Sequence, residues 1–325
     1  MKKNIAIIMG GYSSEANISL KSGEVVYKNI SKEKYNIFKV YILKNKWVVV
    51  TDNLNEYAIN KHDFSANIHG KKINFDCVFN AIHGHPGEDG TILAYFNLLG
   101  IKHTSAPFYQ MALTFNKRDC LSVIKKYGVK TAKSVYLDKG EKIEITKIIE
   151  TVGLPCFVKP NNAGSSFGIS KVKTEKELIP AIKKAFKEDS QLLIEEFLDG
   201  PEITIGVLNY KNKITVLPMT EIVTNNDFFD YEAKYLGKSE EITPARITEN
   251  MHKKLELLAT KVYKILNMSG FTRSEYIIVN NEPYFLEMNT VPGLTTESLI
   301  PQQADAAGIS LPNLFHNAIE MALKH

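Results

Sequence analysis

The 325-residue chain is too long for one ordinary core and predicts two or three domains, and 44% hydrophobic residues supply the apolar material for them, which excludes a disordered protein. Forty Lys plus Arg against 36 Asp plus Glu leave a formal charge of only +4, spread as pairs such as Lys2-Lys3, Lys71-Lys72, Lys125-Lys126 and Lys183-Lys184, too mild a balance for a nucleic-acid binder. Cys77, Cys120 and Cys156 lie far apart without metal-ligand spacing, and the apolar run Ile5 to Met9 is too short for a signal peptide or membrane span, so a reduced, cytoplasmic compartment is expected.

Along the first hundred residues apolar runs alternate with helical patterns, which predicts a parallel α/β sheet. Ile5 to Met9 reads as a buried strand, Gly10-Gly11 as its tight turn, and Ser13 or Ser14 as the N-cap of a helix that turns Ile18, Val25, Val26 and Ile30 inward. Phe38 to Leu43 and Cys77 to Ala81 read as further strands. The loop "HGHPGEDG", His83 to Gly90, then follows the carboxyl end of a strand, where open α/β sheets bind their ligands. A second region begins near Ser105-Ala106-Pro107 and carries a helix through "NKRDCLSVIKKYG" that ends at Gly128. It continues with the strand "CFVKP", the small-residue loop "NNAGSSFG" and the strand "QLLIEEFL". Small side chains let backbone N–H groups close around phosphate oxygens, and Lys159, at the end of an apolar strand, asks for an anionic partner. The loop lacks P-loop spacing, so an ordinary surface hairpin remains the alternative. The final third opens after Gly200-Pro201, passes a polar loop from Asn225 to Glu241, and ends in a pair of strands.

In that pair, "FTRSEYIIV" places Phe271, Arg273 and Glu275 on one face by the period of two, and "YFLEMN" does the same for Phe285, Glu287 and Asn289. A turn around Asn280-Asn281 that leaves three or five residues unpaired puts Glu275 opposite Glu287 and Arg273 opposite Asn289. Like charges facing each other destabilise a sheet unless solvent or a cation lies between them. A hard divalent ion such as Mg²⁺ meets that need, with Glu275, Glu287 and Asn289 as candidate ligands; an exposed hairpin with a wet polar face is the competing reading.

The motifs "GGYSSEANISLKSG", "HGHPGEDG", "FNKRD", "FVKPNNAGSSFG", "LIEEFLDGPE", "FFDYEAKYL" and "LEMNTVPGLTTESLIP" occur in an order that resembles the ATP-grasp enzymes and, within them, the D-alanine–D-alanine ligases. The resemblance covers nearly the whole chain. It implies an α/β ATP-grasp fold with an N-terminal Rossmann-like parallel-sheet domain over 1–104, a central subdomain with a phosphate lid over 105–198, and a C-terminal subdomain over 199–325 with the metal and substrate site. It implies ATP as a substrate, with Lys117 and Lys159 on its phosphates and the loop bearing Ser165 and Ser166 as lid. Adenine would meet the Glu195, Glu196 and Leu198 edge, and the ribose Glu202. Two Mg²⁺, for which Mn²⁺ can substitute, would be held by Glu275, Glu287 and Asn289. The family usually has aspartate where this chain has Glu275, a departure that moves the carboxylate by about 1.5 Å, one C–C bond.

The reaction implied by the resemblance is attack of a first D-alanine carboxylate on the γ-phosphate, followed by attack of a second D-alanine's amine on the acyl phosphate. Arg273 and the Gly293 N–H would hold the oxyanion, Glu15 the first ammonium, His83 that same alanine, and Ser298 with the Leu299 backbone the second carboxylate. The aromatic loop Asn226 to Leu236 would be a second lid, with Lys234 on the γ-phosphate and Tyr235 bonded toward Ser165 and Glu15, an arrangement that favours an amine nucleophile. A homodimer is expected by the same analogy, with small molecules as the other partners. Each residue has a plainer reading: a first-turn carboxylate for Glu15, a strand-end histidine for His83, an N-cap for Ser298, an ion pair with Glu275 or Glu287 for Arg273. Rival functions are a ligase for another D-amino or D-hydroxy acid and a degenerate nucleotide-binding module. A dinucleotide oxidoreductase fails for want of G-x-G-x-x-G.

Overall fold

The computed structural model describes residues 2–164, 166–224 and 239–324. Among them the strands form three sheets, of eight, four and six strands. In the first, Lys3–Gly10 lies parallel between Tyr35–Ile42 and Cys77–Asn80, and Lys102–His103 continues the parallel set. Its other half is antiparallel, running through Trp47–Val50, Glu56–Asn60, Ser65–Ile68 and Lys71–Ile73. The sheet is therefore mixed rather than purely parallel. Short connections after Ile42 allow hairpins, whereas parallel neighbours need a crossover.

The first helix, Ala16–Asn29, departs from expectation at both its start and its face. Glu15, not Ser13 or Ser14, occupies the N-cap position, while the Ser13 hydroxyl accepts from the Glu15 N–H at 3.2 Å. The buried face is Ser19, Ser22, Gly23 and Val26, with Ile18 and Val25 only half-buried. Close packing on the first strand is the reason. A Cβ at Gly23 would lie 2.6 Å from the Met9 side chain, and Ser19 Oγ accepts from the Gly10 N–H while donating to the Ala81 carbonyl. Small residues are needed where a helix backbone comes this near a strand.

The second sheet orders Ser170–Val172, Cys156–Pro160, Gln191–Glu196 and Ser134–Asp138, all antiparallel. Helices Ile145–Val152 and Glu175–Ala185 close a core of its own around Val158, Leu178, Ile182 and Ile194. The expected helix ending at Gly128 is Lys117–Lys125, capped by Asn116, whose side chain accepts from the Asp119 N–H. The third sheet carries Glu202–Tyr210 against Phe271–Val279, which pairs with Glu282–Asn289. One core joins the first and third sheets, from Val78 and Phe96 to Ile205, Tyr276 and Met288. A second core packs Phe79 on Phe315 of the C-terminal helix Leu311–Lys324.

The strand pair holds the predicted register at the site and a different one at the turn. Asn280 and Asn281, both at positive φ (51° and 60°), make a two-residue turn that pairs Val279 with Glu282. A bulge between Glu275 and Tyr276 then shifts the pairing by one, with Leu286 as the extra residue, so that Glu275 faces Glu287 and Arg273 faces Asn289. Phe285 consequently does not share a face with Glu287. It is buried in the core against Tyr276, ring centroids 5.7 Å apart, while Leu286 and Glu287 both line the opposite side.

Candidate active site

A cleft separates the second sheet from the strand pair. Lys159 and Glu195 reach into it from neighbouring strands, and Glu275 and Glu287 from the opposite wall. Lys117, Ser166, Glu196 and Glu202 add to its charged and polar lining, with Phe157, Leu198, Ile277 and Leu286 as apolar surface. The expected nucleotide-binding residues are thus gathered in one place, apart from Ser165 and Lys234, which with Tyr235 and the other aromatics of the expected second lid lie outside the described residues.

The charges in this cleft are paired. Lys159 Nζ donates to Glu195 Oε2 at 2.7 Å. Burial alone would lower the lysine's pKa, but the carboxylate outweighs it and the net shift is upward, so the ammonium is held charged. Lys117, at the start of its helix, donates to the Ala163 carbonyl at 2.7 Å and pairs with Glu287 at 3.2 Å, which ties the base of the small-residue loop to the strand pair. Arg273 Nη2 lies 2.6 Å from Glu275 Oε1, and the Asn289 amide donates to the same oxygen at 3.2 Å. Both facing carboxylates therefore have a basic neighbour, which is how the sheet tolerates them.

The donor set of this corner is two carboxylates and an amide oxygen. Such hard ligands suit a small divalent cation, and among the described residues no group of three His, Cys, Asp or Glu could hold an ion unaided. A site completed by ligand oxygens is the pattern of Mg²⁺ shared with phosphates, so the residues fit that ion.

Glu15 is buried between two loops: a Cβ on Gly84 would lie 2.9 Å from its carboxylate, and one on Gly164 2.8 Å. Both glycines are required by that approach. His83 is buried beside it, its Nδ1 donating to the Val291 carbonyl at 2.7 Å. A Cβ on Gly293 would meet Ser298 Oγ at 2.6 Å, so the expected oxyanion glycine and the expected carboxylate-binding serine are neighbours. Ser298 is the N-cap residue of helix Leu299–Ala306, with its hydroxyl 2.7 Å from Thr295 Oγ1, and Leu299 packs its side chain on Ile222.

Other residues here were not singled out from the sequence. Glu88 is buried, and burial together with the charge of Glu15 pushes its carboxyl up to about 7. In the sequence only its place in the loop "HGHPGEDG", after the carboxyl end of a strand, points to it. Glu241, in the strand Ser239–Ile242, accepts from Gln302 at 2.9 Å; burial raises its pKa against the pull of that bond and of Arg273. Leu286 could not be assigned to the cleft without the bulge.

Residues 4–106 match the model described as D-ala D-ala ligase N-terminus, and residues 123–320 the model described as D-ala D-ala ligase C-terminus. The chain belongs to the D-alanine–D-alanine ligase family. Its fold is the ATP-grasp fold. Among relatives, a D-alanine–D-alanine ligase of Flavobacterium johnsoniae is 64% identical over 321 residues, 99% of either chain. The VanG D-Ala:D-Ser ligase from Enterococcus faecalis has a similar structure, with TM-score 0.87, 32% identity and coverage of 99% of this chain and 100% of that one. The Bacillus anthracis D-alanine–D-alanine ligase complexed with ATP superimposes with TM-score 0.80 at 28% identity, over 99% of this chain and 98% of that one.

Proposed function

We infer that the chain is an ATP-dependent ligase that joins two D-alanines through a D-alanyl phosphate to give D-alanyl-D-alanine for peptidoglycan precursors. The observation that carries this reading is the corner where Arg273 faces Asn289 and Glu275 faces Glu287, at the end of a cleft that already holds Lys117 and Lys159. Phosphoryl transfer is served by positioned charge more than by covalent help from the protein.

In this reading Lys117 and Lys159 exchange their carboxylate partners for phosphate oxygens. Glu202 and the Glu195–Leu198 edge hold the nucleoside, and Ser165, Ser166 and Lys234 close on the phosphates. Glu15 receives the first alanine's ammonium, and Tyr235 with Ser165 orders the loops around it. Arg273 and the Gly293 N–H stabilise the oxyanion formed when the second amine attacks. Ser298 and the Leu299 backbone, at a helix N-terminus, receive the second carboxylate. Glu275, Glu287 and Asn289 would hold Mg²⁺, two ions in the full complex and replaceable by Mn²⁺, which when bound neutralise charge on the β- and γ-phosphates.

The division at 104 and 198, a cytoplasmic location and a homodimer complete the proposal. In favour of a reducing compartment, all three cysteines are free and buried, their thiols pushed up to about 12, 12 and 11 by burial. Among the described residues no helix is long and apolar enough to cross a membrane.

The test is phosphate release from ATP and Mg²⁺ with D-alanine, beside L-alanine and beside D-alanine with D-serine or D-lactate. Release that requires D-alanine and yields mainly the D-alanine dipeptide supports the reading. A mixed product dominating with D-serine or D-lactate would move the assignment to a ligase of another acceptor.

A further inference from the structure

Three buried side chains join the loop after the Cys77–Asn80 strand to the loop after the Glu282–Asn289 strand. Glu88 is the first. One of its oxygens accepts from the Gly84 N–H at 3.1 Å, and the other from the N–H groups of Thr290 and Val291 at 3.2 and 3.4 Å. His83 is the second. Since the Val291 carbonyl can only accept, Nδ1 carries the proton of that 2.7 Å bond. Burial lowers the ring's pKa, so the neutral form prevails and Nε2 is an acceptor. Its partner is the third residue, Ser22, whose hydroxyl lies 3.0 Å away and itself accepts from the Leu294 N–H at 3.2 Å. The chain of bonds thus grips Thr290, Val291 and Leu294, on both sides of Gly293.

Both ring nitrogens of His83 are committed to this chain. A ring in that state has no polar atom to offer an alanine, contrary to the role that the family resemblance assigns it. We propose that Ser22, His83 and Glu88 form a latch that sets the position of the Thr290–Leu294 loop and its Gly293 N–H, and that His83 is a positioning residue rather than a contact to the first alanine. The proposal rests on the ligase reading of this same site. Its consequence falls on the second chemical step, where the oxyanion forms, and spares capture and phosphorylation of the first alanine.

Two readouts separate the steps: dipeptide formation, and scrambling of a heavy-oxygen label from the β,γ-bridge of ATP, which reports reversible acyl phosphate formation. In Ser22→Ala the latch loses both the acceptor of Leu294 and the partner of His83. Expected is a fall in kcat for dipeptide of roughly 10- to 100-fold, as for small misplacements of a catalytic group, with the KM for the first D-alanine and the scrambling rate unchanged. The unchanged scrambling shows at the same time that the variant is folded. At His83 itself, His83→Asn places an amide N–H where Nδ1 stood, and His83→Gln places one where Nε2 stood. The latch predicts more dipeptide activity in His83→Asn. A rise in the first KM with kcat intact, a joint loss of scrambling and dipeptide in Ser22→Ala, or higher activity in His83→Gln would each overturn the latch. A wild-type protein that turns over no D-alanine would instead remove the ligase reading beneath it.

Discussion

The junction of the first and third sheets and the cleft beside the second sheet are both polar, yet they are wired differently. At the junction the side chains bond to backbone: Glu88 to Thr290 and Val291, His83 to Val291, Ser22 to Leu294. In the cleft, charged side chains bond to one another: Lys159 to Glu195, Lys117 to Glu287, Arg273 to Glu275. The cores follow nearly the same division: the first and third sheets share one, which Leu193 of the second sheet also joins, and the second sheet has a further core of its own. Backbone partners cannot turn away, so the junction fixes a geometry. Ion pairs can exchange one anion for another, so the cleft can accept a polyphosphate without leaving a lysine unpaired.

The largest effect is expected at Arg273, which pairs with Glu275 in the cleft and in the proposed mechanism acts with the Gly293 N–H that the junction holds. Arg273→Ala removes the proposed cationic partner of the oxyanion and strips Glu275 of its 2.6 Å neighbour. A loss of about 10²- to 10³-fold in kcat is expected, measured as dipeptide formed at saturating substrates. Retention of near-normal kcat would mean that the guanidinium serves only the sheet.

Lys159 tests whether the cleft pairs are exchangeable. Its side chain is 17% exposed and that of Glu195 only 3%, so Lys159→Met strands a buried carboxylate and should cost about 3 to 5 kcal/mol of stability. Adding Glu195→Leu should restore most of that stability in denaturant titrations while ATP binding stays weak. Recovery of ATP affinity in the double variant would show that Lys159 serves the fold and not the phosphates.

Much of this site was legible in the sequence, and the exceptions share a cause. The facing of Glu275 and Glu287 is the one expected from a turn that leaves three or five residues unpaired, but the turn leaves only two. A two-residue turn alone gives a register one residue off, and the Leu286 bulge restores it. Alternation cannot reveal a bulge, because the extra residue changes which side chains share a face without changing composition. The inner face of the first helix is legible only in part, for a related reason: Val26 and Ile30 are buried as their pattern predicts, but Ser19, Ser22 and Gly23 are buried for close approach and hydrogen bonding, and a hydrophobic pattern registers only apolar burial. Glu88 and Ser22 went unassigned because their partners are backbone groups some two hundred residues or more away in sequence, whereas Lys159 declared itself as a charge in an apolar strand.

Glu275 gives a smaller effect at the same corner. Glu275→Asp shortens the arm that reaches Arg273 and Asn289 while restoring the residue usual in the family. A change in kcat below about tenfold, ~1.4 kcal/mol, is expected, with a shift in the Mg²⁺ concentration for half-maximal rate. A fall as deep as that of Arg273→Ala would mean that the glutamate's length is built into this site.

The smallest effect concerns pH and lies in the junction itself. His83 has its pKa lowered from 6.5 by burial, so the unfolded chain binds a proton that the folded chain refuses, and stability falls as pH drops below 6.5. Glu88 works in the opposite sense. Its pKa rises from 4.5 to about 7, chiefly through burial, so the stability it lends below pH 4.5 is lost as pH climbs toward 7. Between pH 4.5 and 6.5 the two slopes oppose each other, and the junction should contribute little net pH dependence. Glu88→Gln removes one slope and leaves the other. Its unfolding midpoint should rise with pH across that window, where the wild-type midpoint stays comparatively flat. Parallel profiles for the two proteins would show that Glu88 does not titrate against His83, and that its backbone bonds hold it in one charge state throughout.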